Sequence, residues 1–164
     1  MIVLGIDPGY GTLGFGIIEI SGITMRAIEY GVIETPKKER FPRRLKFLAD
    51  EINLLIDKHK PEAIAVEELF FQSNQKTAIL VAEARGVVLL CAENSSAQLF
   101  EYTPLQIKQV LTGYGHADKL QIQKMVSVFL NLPTAPKPDD AADALAVAIA
   151  HARSASILGK FEIK

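Results

Sequence analysis

Hydrophobic and polar positions follow first a short period and then a longer one along this chain. "MIVLGID" runs apolar for six residues before the carboxylate of Asp7, and residues 14–20 and 23–34 are again rich in β-branched side chains. Turns containing glycine, first at Asp7-Pro8-Gly9 and then at Ser21-Gly22, separate these runs. The pattern predicts an antiparallel meander of three strands, 2–7, 14–20 and 23–34. Leu45, Leu48, Ala49, Ile52, Leu55 and Ile56 then recur at steps of three and four, the face of an amphipathic helix that ends before Pro61. "EAIAVEEL" from Glu62 reads as a short strand that stays apolar until Glu67 and Glu68.

A polar stretch, "QSNQKT", precedes a helix predicted from Thr77 to Glu93, and a fifth strand follows at Gln98 to Tyr102. Thr103-Pro104 is a helix-start signal for residues 105–112. Two further helices, 119–130 and Asp139 to about Arg153, are set off by the breaks "TGYGHADK" and "LPTAPKP". The order βββαβαβ followed by helices implies an α/β fold: a five-stranded mixed sheet flanked by helices on both faces. Strands one and four should be parallel neighbours whose C-terminal ends share one sheet edge.

Composition narrows this picture. With 164 residues, 49% of them hydrophobic, the chain can bury one core of its own, and a single domain over residues 1–164 is expected, with a mobile tail from about residue 155. The formal net charge is −1, which gives no global attraction to nucleic acid, so any DNA-binding surface must be a local patch. Cys91 is the only cysteine, which excludes an intrachain disulfide and a thiolate zinc site and suits a reducing cytoplasm. Its apolar surroundings point to a core residue. Apolar runs such as Gly86 to Ala92 are interrupted by charges well short of a bilayer span, and no secretion signal is apparent, so no membrane role is expected.

The candidate chemistry lies in carboxylates. Asp7 and Glu67 each end an apolar strand at the edge where open α/β sheets place their ligands. The last helix opens "DDAADALAVAIA", and Asp140 and Asp143, three apart, lie on one helix face and can aim at that same edge. Crowded carboxylates raise one another's pKa, a strain that a divalent cation relieves, and all-oxygen ligation suits magnesium or manganese. Two such ions roughly 4 Å apart support phosphodiester hydrolysis. Plainer readings stand beside this one. Asp139 or Asp140 could be a helix N-cap, Glu67 and Glu68 a solvated strand end, and Asp7-Pro8-Gly9 an ordinary turn. Asp143 fits them less well, because it lies among alanines on a face expected to pack on the sheet.

Taken together, "GIDPG" with "GFG", "AVEELFF", "ARGV", "EYTPLQIKQVLTG", the spacing G-x-A-x-K and "DDAADALAVAIAHA" resemble the RuvC family of crossover junction endodeoxyribonucleases, from Ile2 to about Ala152. The resemblance implies a ribonuclease H-like fold and a homodimer that cuts four-way (Holliday) DNA junctions by paired symmetric nicks. It implies two magnesium ions per site, with manganese able to substitute, and association with the RuvA and RuvB branch-migration machinery. Carried over by position, Asp7, Glu67, Asp140 and Asp143 are the catalytic and metal-binding acids, and the family spacing D-A-A-D selects Asp140 over Asp139, leaving Asp139 as the helix cap. Lys108 and Lys119 match positions associated with substrate phosphates, and Lys76, Lys124 and Lys137 lie in nearby segments. Phe70, in the "FF" pair with Phe71, is implied to stack on or wedge between bases at the crossover, with packing in the core as the alternative.

The helix around "TAILVAEARGVVLLCAE" is apolar on more of its circumference than one sheet face requires, which suits a two-fold interface or a wholly buried helix. Arg85-Gly86 suggests close helix packing. His59, His116 and His151 lack metal-ligand spacing and read as surface or helix-end residues. Two rival functions remain at this level. One is a catalytically inactive junction-binding protein of the same fold. The other is a nucleotide-binding kinase-like domain built on Asp7-x-Gly9, which would need a second lobe that 164 residues do not supply.

Overall fold

Among the described residues, five strands and five helices follow in the order βββαβαβααα, as the hydrophobic pattern requires. The structure is a computed structural model that describes residues 1–69 and 75–154, the side chains of Gln75 and Lys76 excepted. The strands are β1 (Ile2–Asp7), β2 (Thr12–Ser21), β3 (Thr24–Glu34), β4 (Ala63–Glu67) and β5 (Gln98–Tyr102). The helices are α1 (Phe41–His59), α2 (Gln75–Glu93), α3 (Pro104–Thr112), α4 (Lys119–Leu130) and α5 (Asp139–Ser154). The sheet order is β3-β2-β1-β4-β5, with β1, β4 and β5 parallel and β2 antiparallel to both of its neighbours. Ile6 pairs with Val66, so Asp7 and Glu67 leave the sheet side by side, as expected.

Alternation along β1 assigns its two faces. Leu4 and Ile6 point to a core shared with Leu48, Ile52 and Ile56 of α1 and with Ala84, Val88 and Cys91 of α2. Val3 points to the opposite core, built from α3, α4 and the alanine-rich α5. Both faces are thus covered by helices, and Cys91 is the buried core residue its surroundings implied.

Glycine sets how closely α5 lies on the sheet. A Cβ at Gly5 would overlap the carbonyl oxygen of Ala144, one at Gly14 would overlap that of Asp140, and one at Gly16 would stand 2.8 Å from Leu145. Removing those three side chains lets the backbone of α5 approach the centre of the sheet, and its run of alanines completes the fit. The side chain of Asp7 belongs to this same face, two residues beyond Gly5.

Local signals hold the connecting elements. Thr103 and Gln106 form a reciprocal capping box with Pro104 in the first turn of α3, and Asp118 and Gln121 do the same for α4. Two helical boundaries run further than the periodicity shows. α1 begins at Phe41, four residues before its first apolar repeat, because Pro42 occupies its first turn and Arg40 precedes it in extended geometry. α2 starts at Gln75.

Three expectations need correction. Asp139 is the first residue of α5 rather than its cap, since the amides of Ala141 and Ala142 already bond to Pro138 O. His151 is neither exposed nor a spare helix-end residue. It is 1% exposed, packs at 4.3 Å from the Phe100 ring centre, and its Nδ1 lies 2.9 Å from the Tyr102 hydroxyl. Burial pushes its pKa down to about 4. Gly86 marks no close helix packing among the described residues, where a Cβ at this position would meet nothing within 4 Å.

Candidate metal centre and active site

Three carboxylates meet where β1 ends. Ligand atoms of Asp7, Asp140 and Asp143 all lie within 4.8 Å of one another. β1 delivers the first, and the first two turns of α5 deliver the others because the glycine row seats that helix against β1 and β2. Glu67, from the adjacent strand, stands outside this trio and lines a cavity of about 290 Å³ together with Asp143, Lys108 and Lys119. Ile107, Ile122 and Ala146 form its apolar wall.

The site is costly to ionise. Burial, and after it the charges of Asp143 and Asp140, pushes the Asp7 carboxyl up to about 7, with Lys119 opposing. Burial and then the charges of Asp7 and Asp143 push Glu67 up to about 8, against Lys108 and Lys119. Asp143 is raised as well, chiefly by burial, although Lys119 bonds to it. Like-charge repulsion therefore acts as expected but ranks second to desolvation. Asp143 itself is only partly enclosed, its side chain 28% exposed towards the cavity.

Lys119 compensates the acids at close range. Its Nζ donates to Asp143 Oδ2 at 3.1 Å and lies 3.4 Å from Asp139 Oδ2. Burial works against its charge, but these two carboxylates hold the ammonium protonated above the usual lysine range. Asp139 stands outside the trio. Its Oδ1 accepts from Lys137 Nζ and Gln123 Nε2, both at 3.0 Å, and those bonds hold its pKa low. One neighbouring acid is thereby kept ionised outside the trio, and Asp140 is left to join it, in line with its spacing to Asp143.

All the donors are hard oxygens, three converge within a single ion's reach, and Lys119 offsets only part of their charge. That set fits a divalent cation of the magnesium class. Asp7, Asp140 and Asp143 would hold it, with Glu67 beside them.

Of the expected DNA-binding residues, Lys108 and Lys119 reach the cavity. Lys124 does not: it lines a separate open groove between α4 and residues 131–135, with Leu120 and Val128. Phe70 and Phe71 lie outside the described residues, as do the side chain of Lys76 and residues 155–164.

Reading the sequence missed a clamp behind Asp7. Arg44, from the first turn of α1, donates to Thr35 Oγ1 through Nε at 2.9 Å and through Nη2 at 2.7 Å, and Nη2 also reaches Tyr10 O at 3.2 Å. Thr35 Oγ1 donates to Tyr10 O, and the Thr35 amide bonds to Gly11 O. The turn after Asp7 is thus tied to β3 and α1. The signal was a threonine just past a strand and an arginine on the polar side of an amphipathic helix, neither of which stands out in a pattern of apolar positions.

Comparison with known proteins gives one consistent result. The family model described as "Crossover junction endodeoxyribonuclease RuvC" matches residues 3–151. The chain is 52% identical over 164 residues to a crossover junction endodeoxyribonuclease RuvC of Alkaliphilus oremlandii, covering all of both chains. It superposes on the Thermus thermophilus RuvC structure with a TM-score of 0.91 at 36% identity, covering 99% of each chain. It also superposes on T. thermophilus RuvC in complex with Holliday junction substrate, with a TM-score of 0.89 at 34% identity over 99% of each chain.

Proposed function

The chain belongs to the RuvC family of crossover junction endodeoxyribonucleases, and from that membership we propose that it resolves four-way DNA junctions by paired symmetric nicks. The observation that carries this reading is the carboxylate trio at the end of β1, whose Asp143 lines a cavity together with Glu67 and two lysines. Asp7, Asp140 and Asp143, with Glu67, are the metal-binding and catalytic acids. The cofactor is magnesium, two ions per site, with manganese as a substitute. Bound there, such ions lower the pKa of an attacking water and neutralise charge on the phosphate.

The chain's own residues do the rest. Asp7 and Glu67 are fixed by the sheet, so the acids are placed before substrate arrives and need no reordering. Lys108 and Lys119 put positive charge beside the scissile phosphate. A cation held by Asp143 would compete with Lys119 for that carboxylate and would leave the ammonium free to meet a phosphate oxygen. Phe70 stacks on bases at the crossover, and Lys76 and Lys124 take flanking phosphates.

Two simultaneous nicks require two sites, and α2 supplies a surface for a homodimer. Ile79, Ala82, Gly86 and Leu90, three or four residues apart, form an exposed apolar stripe, with Ile79 and Leu90 each 61% exposed. A single nuclease domain working in the cytoplasm beside RuvA and RuvB completes the proposal, and no helix among the described residues is long and apolar enough to cross a membrane.

A gel assay comparing a four-way junction with duplex and single-stranded DNA, with and without magnesium or manganese, tests it. The junction should be nicked symmetrically and only with metal, and Asp7→Asn should bind the junction without cutting. Equal cutting of plain duplex, or undiminished cutting by repurified Asp7→Asn, would overturn it.

A further inference from the structure

Residues 36–46, "PKKERFPRRLK", hold six cations against the one carboxylate of Glu39, a local charge of +5 in a chain whose formal net charge is −1. Topology puts this segment at the active-site edge. Glu34, at the end of β3, pairs with Thr12, which follows the turn after Asp7, and the Arg44 clamp joins the start of α1 to that same turn. β3 and β1 are two strand spacings apart, about 10 Å. The acids therefore sit between two basic flanks, Lys108 and Lys119 beside β4 and this segment beyond β2.

Of the six cations in this segment, Lys46 pairs with Asp50 and Arg44 serves the clamp, but the other four have no close carboxylate among the described residues. Arg26, Lys58, Lys60, Lys119 and Lys137 each pair with a carboxylate. Lys37, Lys38 and Arg40 are exposed and make no ion pair among the described residues, and Arg43 has only Glu39 at 3.8 Å. The first turn of α1 also holds no acidic residue and no side-chain cap, so its arginines stand against the helix dipole. Both features disfavour the free protein and favour an anion laid across them.

We propose that Lys37, Lys38, Arg40 and Arg43 bind the phosphate backbone of the duplex arm that leaves the active site on the β3 side. This rests on the nuclease reading above and adds a second contact surface to it. Duplex DNA carries about one charge per 1.7 Å of axis, so an arm engaged at the acids presents about six charges within the 10 Å that separate them from this flank. An arm held at both flanks is fixed in direction as well as position.

The test is junction binding by fluorescence anisotropy in EDTA across a range of potassium chloride concentrations, for the wild type and Lys37→Gln/Lys38→Gln/Arg40→Gln. Lys58→Gln/Lys60→Gln, at the far end of α1, serves as control. The slope of log Kd against log salt should fall by about 2–3 in the triple variant, about 0.9 per phosphate contact, with affinity about tenfold weaker or more. The control should match the wild type. A triple variant with wild-type slope and affinity, or a control that loses as much, overturns the proposal. The wild type's own cleavage of the same junction in magnesium separates this failure from that of the nuclease reading, which would leave the wild type unable to bind or cut.

Discussion

Replacing Asp7 by Asn removes a charge that destabilises the metal-free fold. The carboxyl stands at about 7 in the folded chain against 3.8 when freely solvated. Between those values the folded state binds more protons than the unfolded one, so stability falls as pH rises through the window and levels off above it. At about 1.4 kcal/mol per pKa unit the shift bounds the effect at about 4 kcal/mol. Water in the open cavity and relaxation of Asp143 reduce this, and a gain of about 1–3 kcal/mol is expected for Asp7→Asn above pH 7. Glu67 shares the same repulsion, so its own substitution would not add in full.

The assay is thermal unfolding in EDTA. Near pH 8.5, Asp7→Asn should melt about 3–10 °C above the wild type for a chain of this length, with the gap narrowing as pH is lowered towards 5. Magnesium should raise the wild type's Tm and leave the variant's little changed, while junction cleavage is lost only in the variant. An Asp7→Asn protein no more stable than the wild type at the higher pH would show that the acids are not electrostatically strained, and the physical argument for a cation at this site would fail with it.

Three other outcomes follow from different parts of the fold. His151 is held at about 4 against 6.5, so its contribution is intact above pH 6.5 and is lost as pH falls towards 4, about 3 kcal/mol in all; in urea titrations His151→Gln should flatten the acid limb, and an unchanged limb refutes the assignment. Arg44→Lys keeps the charge but loses the fork that spans Thr35 and Tyr10, so the magnesium concentration for half-maximal cleavage should rise about threefold or more, and an unchanged requirement would show that the clamp does not position Asp7. Gly14→Ala forces a Cβ onto the Asp140 carbonyl, and calorimetry should find a loss of about 2–3 kcal/mol together with lost cleavage, whereas a wild-type Tm would show that α5 is not packed as described.

What the sequence made legible follows from what each signal encodes. Strand and helix periods exposed every element, and the parallel pairing of β1 with β4 followed from connection rules, so Asp7 and Glu67 could be placed side by side before any coordinates. Boundaries were less visible, as at α1, where Pro42 and a basic turn precede the first apolar repeat. The site divided in the same way. Asp140 and Asp143 announced themselves by spacing on a helix, whereas Glu67 proved to stand beside the trio rather than within it. His151 was misjudged because burial is a property of tertiary packing, and a histidine near a helix end looks the same whether or not Phe100 and Tyr102 enclose it. The basic run at 36–46 was legible as composition but gained meaning only when the turn after Asp7 was found tied to it.

The assembly of the acids depends on residues that carry no charge. Asp7 is fixed by β1, but Asp140 and Asp143 reach it only because α5 approaches the sheet over Gly5, Gly14 and Gly16. A methyl group at any of these positions would lift the helix by a fraction of an ångström or more, and ligand atoms that must share one cation within 4.8 Å tolerate little of that. The same close approach buries Asp7 and makes its ionisation unfavourable, so the packing that assembles the site also generates its demand for a counter-charge. Lys119 meets part of that demand from α4, outside the α5 contact, and a divalent cation held by the acids would compete with it for Asp143. Affinity for metal and stability of the empty fold should therefore move in opposite directions across substitutions of the acids, but fall together across substitutions of the glycines beneath them.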